Sequence, residues 1–414
     1  MSRALRFLVG ILLLLSAGCS SLAPLLFTPT PVPASPTTPT LETAVTQTAL
    51  PVVTEARILR VWLPPQFDPN GETESSSLLN QRLIGFESQH PGLEIEVRIK
   101  AEDGETGLLN SLSITSIAAP TALPDLVALP RPGLEAAALK GLLHPIDGLS
   151  TALQDPVWYG YARDLGHIQD IGYGLPFAGD AMILIYRSEI EGGIDWENIF
   201  ASEKRLSFSA GDPQGLFGLS LYISAGGEIL DSSGLPMLDQ DVLVRVLSWV
   251  QEGVSAGVLS PSLKNMSTED HVKIAYRSGD ADMAIAWASN LPELGFIAPV
   301  PGLGDSDHSF ATGWIWALAG SDPENQQPAI ELAEYLVADE FIGDWTRDAG
   351  YLPTRLSSTT DRDSATVAIV ESAQAIPSNE VLLVLGPLMQ EALTRVLNGE
   401  QPEVVAGSVI EKLK

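Results

Sequence analysis

The chain has 414 residues, of which 45% are hydrophobic and 18% are charged, and this composition is typical of globular proteins. Its 52 acidic and 23 basic residues give a formal net charge of −29 at neutral pH. A field of that sign repels phosphate backbones and anionic lipid surfaces, which argues against nucleic-acid binding and against electrostatic docking to a membrane.

The N-terminus has the features of a bacterial export signal. Two arginines precede an apolar run that is too short to span a bilayer comfortably as a mature helix. The run ends in Leu15-Ser16-Ala17-Gly18-Cys19, which resembles a lipobox, with Ser16 where Leu or Val is usual. We expect residues 1–18 to be a lipoprotein signal peptide and Cys19, the single cysteine of the sequence, to carry the lipid. The alternative is a plain secretory signal with an incidental cysteine.

The next segment is predicted to be a tether. From Thr28 to about Ala56 the sequence is rich in Pro, Thr and Ala, and it has almost no charge and no helical or strand period. Such a composition cannot bury enough apolar area to offset chain entropy, so we expect a semi-extended, disordered linker. Residues 19–56 are therefore predicted to hold the folded part near a membrane.

The remaining chain, roughly 355 residues, exceeds a single typical core, so two lobes are expected. The first lobe should open with a strand over 58–63, an amphipathic helix, and a second strand over 93–99 whose residues alternate in polarity. A third strand is predicted over 123–129 and a helix over 133–140. This order is typical of a Rossmann-like α/β lobe.

The segment 166–187 predicts a passage between the lobes. A proline-stiffened run over 173–177 is followed by the small residues Ala178-Gly179 and then by an apolar run over 182–186. Such a break lets a chain leave one sheet and enter another, which is how hinges between lobes are built. The alternative is an ordinary hairpin in some α/β domain.

Three motifs in the right order resemble one family. Tyr173-Gly174-Leu175-Pro176-Phe177, with the small residues, Asp180 and the apolar run ending in Tyr186 after it, resembles the first crossover of the family 1 extracellular solute-binding proteins of ABC importers. This family contains the maltose-type sugar-binding proteins. Residues 312–318 resemble its second crossover, and Gly350-Tyr351-Leu352-Pro353 resembles its third. The resemblance covers about 57–414, and Arg187 departs from it, because Asn is usual there.

The resemblance implies the fold. We expect an α/β, two-lobed periplasmic-binding-protein fold of type II, a Venus-flytrap, with three hinge crossovers, preceded by the signal peptide and the tether. The N-terminal lobe is predicted to comprise 57–178 with 315–355. The C-terminal lobe is predicted to comprise 179–314 with 356–414.

Motifs of the common enzyme classes are absent from the sequence. It has no Gly-x-Ser-x-Gly, His-Glu-x-x-His, P-loop or Cys-x-x-Cys pattern, and its five histidines are widely scattered. With 52 carboxylates, some pair will always resemble a glycosidase dyad, so that signal carries no weight. We expect no enzymatic activity, no cofactor and no metal site.

The resemblance implies that a ligand binds between the lobes. Sugars suit such a cleft, because their C–H faces stack on aromatic rings and their hydroxyls take hydrogen bonds. The predicted ligand-binding residues are Asp180, Trp314, Phe177, Trp287, Tyr351, Trp62, Gln66 and Phe67. Asp180 falls where maltose-type proteins carry a cleft carboxylate, and for Trp62, Phe177 and Tyr351 the alternative is core packing.

Two departures affect the expected ligand. Leu129 stands where maltose-type proteins have an aromatic residue, and Pro132 stands where they have a carboxylate. Maltodextrin specificity is therefore doubtful, and a smaller sugar, a polyol or another solute stays open.

The sequence thus predicts a monomeric, lipid-anchored receptor on the outer face of a bacterial cytoplasmic membrane, which delivers a carbohydrate-like ligand to an ABC permease. The first alternative is a sensor or surface lipoprotein with the same fold but no role in transport. A less favoured alternative is a lipoprotein hydrolase.

Overall fold

The computed structural model describes residues 56–290, 295–304, 306–359 and 362–413. The predicted signal peptide, Cys19 and all but the last residue of the predicted tether lie outside these ranges. Within them, no helix combines the length and the apolar character needed to cross a membrane.

The described residues form short strands and longer helices in alternation. The strands are β1 (Arg57–Leu63), β2 (Leu93–Ile99), β3 (Leu126–Pro130), β4 (His167–Ile168), β5 (Ile171–Gly172), β6 (Gly174–Tyr186), β7 (Leu206–Ser207), β8 (Met283–Trp287), β9 (Phe296–Ala298), β10 (Ser309–Leu318) and β11 (Ala373–Ala375). The helices are α1 (Glu74–Gln89), α2 (Leu108–Ala118), α3 (Arg131–Leu139), α4 (Gly160–Leu165), α5 (Trp196–Ala201), α6 (Leu216–Ser224), α7 (Gln240–Ser255), α8 (Glu269–Ser278), α9 (Pro323–Leu336), α10 (Asp339–Asp348), α11 (Ser364–Ser372), α12 (Asn379–Leu397) and α13 (Pro402–Leu413).

Local sequence signals explain several of these elements. The Thr73 side chain accepts a hydrogen bond from the backbone N–H of Ser76 and so caps α1. The Asp239 side chain caps α7 in the same way. Both helices bury one apolar face, which in α7 includes Val246 and Val250.

Nine of these strands form one mixed sheet in the order β2-β1-β3-β10-β6-β8-β7, with β9 paired to β6 and β11 paired to β10, while β4 and β5 pair with each other in a separate two-stranded sheet. Strands β1, β2 and β3 are parallel, whereas β10 runs antiparallel to both β3 and β6. On the far side, β8 is antiparallel to β6 and parallel to β7. Strands β6 and β10 therefore join the two halves of the sheet.

Two large hydrophobic cores flank this joint. In β6, Phe177 lies in the first core and Leu184 lies in the second. In β10 the order is reversed, because Phe310 lies in the second core and Trp316 in the first. Both strands thus leave one core and enter the other, and the predicted two-lobed α/β fold is confirmed.

The third passage between the cores lies later in the chain than expected. Leu352, in the segment predicted as the third crossover, is buried in the first core, and Tyr351 packs against it. Ile369 and Val370 of α11 also belong to the first core, whereas Ile376 belongs to the second. The chain therefore passes between the cores at 373–376, and we propose that the N-terminal lobe extends past the predicted boundary at 355 to about 373.

The strands β6 and β10 have glycine at facing positions in the middle of their ladder. Gly179 lies opposite Gly313, and it also exchanges backbone hydrogen bonds of 3.0 and 2.8 Å with Leu352. A Cβ atom at Gly179 would lie 2.1 Å from the hydroxyl oxygen of Tyr161, and one at Gly313 would lie 2.4 Å from the carbonyl oxygen of Ala178. The small-residue break predicted from the sequence is therefore a site of close backbone approach.

We predict that Gly179→Ala destabilises the protein by about 1–3 kcal/mol, because the added methyl group must displace the Tyr161 hydroxyl. Urea denaturation measures the change in the free energy of unfolding. Gly160→Ala is the matched control: this glycine begins α4 with no atom within 4 Å of its virtual Cβ. The control should be unchanged or up to about 1 kcal/mol more stable. Equal changes in the free energy of unfolding for Gly179→Ala and Gly160→Ala would contradict the crowding at Gly179 as the cause.

Candidate functional site

A cavity of about 410 Å³ lies between the two lobes, and this size is usual for a small-molecule site. The first lobe contributes Glu102, Asp103, Leu108, Leu109, Leu129, Pro130, Pro132 and Gly133 to its lining. The second lobe contributes Gln214, Leu216, Trp287 and Ile376, and Thr312 comes from the crossover strand β10.

The first-lobe wall lies at the carboxyl ends of the parallel strands. Residues 130–133 lead from β3 into α3, and Glu102 and Asp103 lie in the loop that follows β2. The crevice beyond the carboxyl ends of the strands is where open α/β sheets bind ligands. The βα connections of this lobe therefore place polar and apolar groups side by side in one wall.

The second-lobe wall includes the start of α6. Gly215 precedes this helix with a φ of 59°, in the left-handed region that glycine adopts readily. The Asp212 carboxylate accepts hydrogen bonds from the backbone N–H groups of Gln214 (3.0 Å) and Leu216 (3.3 Å). Burial raises the pKa of Asp212. Asp212 thus holds the turn that brings Gln214 and Leu216 to the cavity.

Trp287 is the predicted ligand-binding aromatic that lines the cavity. It is the last residue of β8, lies opposite Met182 of β6, and is partly exposed. A half-buried indole on a cavity wall offers a flat apolar face that suits the C–H face of a sugar ring.

Asp180 lies close to the cavity but does not line it. Its side chain is buried, opposite Thr312 in the β6–β10 ladder. The carboxylate accepts hydrogen bonds from the backbone N–H (3.1 Å) and the hydroxyl (2.5 Å) of Ser289. Burial raises its pKa to about 6, although these hydrogen bonds act in the opposite direction.

The other predicted aromatics mostly pack against one another. The ring centroid of Phe67 lies 5.2 Å from those of Phe177 and Trp314, 5.4 Å from that of Trp345 and 5.6 Å from that of Tyr351. Phe67 and Phe177 are only 2% exposed and Trp314 is 6% exposed. We call these five rings the aromatic cluster. Core packing, the alternative raised for Phe177 and Tyr351, describes their surroundings.

Gln66 and Trp62 have different surroundings. The Gln66 amide donates a hydrogen bond of 3.1 Å to the Glu102 carboxylate, so it touches the cavity wall through that residue. Burial raises the pKa of the Tyr351 hydroxyl, and the side chains of Trp314 and Gln66 act in the opposite direction. Trp62 is 2% exposed, and the Lys100 ammonium lies 4.7 Å from its ring centroid. Trp62 is therefore a core residue with a cationic neighbour.

Sequence reasoning missed most of the lining. Leu129 and Pro132 were singled out only as departures from the family pattern, and both lie in the wall. The position of the Glu102-Asp103 pair directly after a parallel strand was the available signal. Gln214 and Thr312 have no comparable local signal.

The lining has two carboxylates and no basic side chain. Such a surface favours a neutral, hydroxyl-bearing ligand over an anion, because an anion would meet no compensating charge. A smaller cavity of about 190 Å³ shares Glu102, Asp103 and Leu109 and adds Lys140 at its edge. Across the described ranges, no group of His, Cys, Asp and Glu has an arrangement suited to a metal ion.

Comparison with known proteins agrees with this geometry. The family model described as "Bacterial extracellular solute-binding protein" matches residues 85–373. No curated protein matches the sequence.

Solved structures match the fold across most of the chain. Maltose-bound MalE3 of T. maritima is 19% identical, with a TM-score of 0.64, covering 86% of this chain and 99% of its own. A cyclo/maltodextrin-binding protein complexed with maltotetraose is 20% identical, with a TM-score of 0.68, covering 86% of this chain and 96% of its own. A Thermotoga lettingae solute-binding protein bound with α-D-tagatose is 20% identical, with a TM-score of 0.60, covering 87% of this chain and 100% of its own. At these identities the likeness shows the fold.

We predict that Phe67→Ala lowers the free energy of unfolding by about 3–5 kcal/mol, because it opens a cavity inside the aromatic cluster. Phe296→Ala is the matched control, since this ring is 52% exposed. The control should change stability by less than about 1 kcal/mol. Urea denaturation of both variants checks the prediction, and a small effect for Phe67 would show that the cluster is not tightly packed.

Proposed function

Because the chain belongs to the bacterial extracellular solute-binding protein family, we propose that it captures a carbohydrate-like ligand between its two lobes and delivers it to an ABC importer. Members of this family bind substrates for transporters and are not enzymes. The chain works outside the cytoplasm, as its family does.

The cavity lined from both cores is the observation that carries the proposal. A ligand that touches Leu129 and Pro132 on one side and Trp287 and Leu216 on the other contacts both lobes at once. Such a ligand stabilises a closed arrangement of the lobes over an open one, because part of its contact area exists only when they are close.

The chemistry of the lining favours a carbohydrate. Trp287 offers a stacking face, while Glu102, Asp103 and Gln214 offer acceptors and a donor for hydroxyl groups. Structural relatives with bound maltose, maltotetraose and tagatose support the same ligand class. Leu129 and Pro132 stand where the maltose-type pattern has an aromatic residue and a carboxylate. We therefore propose that the ligand is a small sugar or a polyol.

We further propose that Cys19 carries a lipid anchor, that residues 19–56 act as the tether, and that the partner is a pair of ABC permease subunits. The net charge of −29 supports attachment by the lipid alone, because an acidic protein is repelled by anionic lipids. The protein acts as a monomer and does not bind nucleic acid.

A thermal-shift screen over sugars, polyols, amino acids and polyamines tests the ligand class. We expect a neutral sugar or polyol to raise the melting temperature, since a ligand at 100 times its Kd adds about 2.7 kcal/mol to stability. Trp287→Ala should lose most of the shift, whereas Phe296→Ala, which removes an aromatic ring outside the cavity lining, should keep it. A shift with polyamines or amino acids alone would overturn the carbohydrate assignment.

Membrane fractionation tests the anchor. In a bacterial host that processes lipoproteins, the full chain should sediment with membranes and incorporate radiolabelled fatty acid. Cys19→Ala should abolish the label and release the protein to the soluble extracytoplasmic fraction, because no other cysteine can replace it. Ser20→Ala is the matched control and should remain in the membrane fraction. Unchanged labelling of Cys19→Ala would exclude the proposed anchor.

A further inference from the structure

The turn that brings Trp287 to the cavity lies at the boundary between the two cores. Trp287 packs against the second core, whereas the next residue, Ala288, packs against the first. Ser289 follows in the same short turn. The position of the Trp287 ring therefore depends on how this turn, residues 287–289, is held.

The crossover strand β6 holds the turn through Asp180. Both carboxylate oxygens of Asp180 accept from Ser289, one from its backbone N–H and the other from its hydroxyl. The backbone N–H groups of Ala181 and Ala288 also favour the charged form of this carboxylate. Asp180 is 8% exposed, so these contacts are shielded from water and strong.

A second carboxylate, Glu269, lies near the turn. It is the first residue of α8, and the backbone N–H of Trp287 favours its charged form. Its Oε2 atom is buried and has no hydrogen-bond partner among the described residues. Glu269 is therefore a titratable neighbour of the turn, whereas Asp180 is the carboxylate that accepts hydrogen bonds from Ser289.

A neutral side chain could not replace the Asp180 carboxylate in full. An ionised carboxylate can accept about four hydrogen bonds, whereas an amide has one accepting oxygen. The NH₂ group of Asn could donate to the Ser289 hydroxyl, which also accepts, but it could not accept from a backbone N–H as the second carboxylate oxygen does. Burying a carboxylate without a basic partner is costly, and the contacts with the turn offset that cost.

We propose that Asp180 is a positioning residue that holds the 287–289 turn so that the Trp287 ring faces the cavity and moves with the crossover strand. This inference rests on the proposed function, in which Trp287 stacks on the ligand. Asp180, predicted from the sequence as a direct ligand contact, instead acts through Ser289.

The pKa values of Asp180 and Glu269 lie in a pH range that experiments can reach. Burial raises the pKa of Asp180 to about 6 and that of Glu269 to about 7. The charged or titratable groups that face Asp180 are Tyr161, Tyr351 and Glu269, and those that face Glu269 are Asp180, Asp212 and Lys273. Acidification from pH 8 to pH 5 protonates both carboxylates and weakens the acceptance of Asp180 from Ser289.

The test needs no ligand. The full chain is labelled with 5-fluorotryptophan, which replaces all eight tryptophans, and its ¹⁹F spectrum is recorded. Trp287→Phe and Trp249→Phe assign two resonances by their loss, and Trp249, buried in the second core, reports on general folding. We expect Asp180→Asn to shift or broaden the Trp287 resonance and to leave the Trp249 resonance in place.

Asp125→Asn is the matched control. Asp125 is also a buried carboxylate, accepting from the Arg60 backbone N–H (2.8 Å) and the Asn325 amide (3.1 Å), and it does not line the cavity. This variant should leave the Trp287 resonance unchanged. An equal shift in Asp125→Asn, or no shift in Asp180→Asn, would overturn the proposal.

Variants of Ser289 cover the case in which Asp180→Asn fails to fold, and the pH dependence of the spectrum adds a second comparison. Ser289→Ala removes the hydroxyl hydrogen bond to Asp180 and should shift the Trp287 resonance. Ser289→Thr keeps a hydroxyl and should leave the resonance at its native chemical shift. The Trp287 resonance of the unsubstituted chain should also move between pH 8 and pH 5, and Asp180→Asn combined with Glu269→Gln should abolish that movement. Persistent titration in the double variant, or no shift in Ser289→Ala, would contradict the positioning role.

This experiment and the ligand screen can fail independently. If the screen finds no ligand while the Trp287 resonance responds as expected, the positioning role stands and the proposed function falls. If a sugar binds while the Trp287 resonance is insensitive to substitution of Asp180 and Ser289, the function stands and the positioning role falls.

Discussion

The fold depends on one antiparallel strand pair that runs through both cores. Strands β6 and β10 are the elements that each lobe uses to complete its sheet, so neither lobe is independent of the other. Where Gly179 of β6 lies opposite Gly313 of β10, neither position has room for a side chain. Relative motion of the lobes must therefore be absorbed by a few backbone angles beside this point, because the strands on either side are fixed in packed cores.

The crossover strands could be predicted from the sequence because their signals are local. A proline-stiffened run, two small residues and an apolar run of β-type residues occur together at 173–186. The third passage could not be located in this way. Gly350-Tyr351-Leu352-Pro353 has the local features of a crossover, but Leu352 returns to the first core, and α11 stays there. Which core an apolar helix joins depends on the contacts that distant segments offer, and no short pattern contains that information.

The site was predicted less well than the fold for a related reason. Residue type alone does not say which way a ring points, and Phe67, Phe177 and Trp314 are as suitable for a core as for a sugar. The structure groups these rings with each other and leaves Trp287 facing the cavity. Lining residues such as Gln214 and Thr312 have no distinctive chemistry in the sequence. Their place follows from a helix start and a strand register that form only in the folded chain.

The structure separates the buried carboxylates, which have partners in the protein, from the exposed carboxylates of the cavity wall. The buried carboxylates are engaged by the protein itself: Asp125 by Arg60 and Asn325, Glu135 by Arg131 and Asn379, and Asp180 by Ser289. The carboxylates of the cavity wall, Glu102 and Asp103, are exposed and face water or a ligand.

Exposed carboxylates next to water exert weak long-range attraction on a cation, because solvent and salt screen them within about 10 Å. They remain good acceptors for hydroxyl groups at contact distance. The wall of the cavity therefore offers acceptors at contact distance, whereas the large net charge of the surface acts on a solute only weakly at longer range.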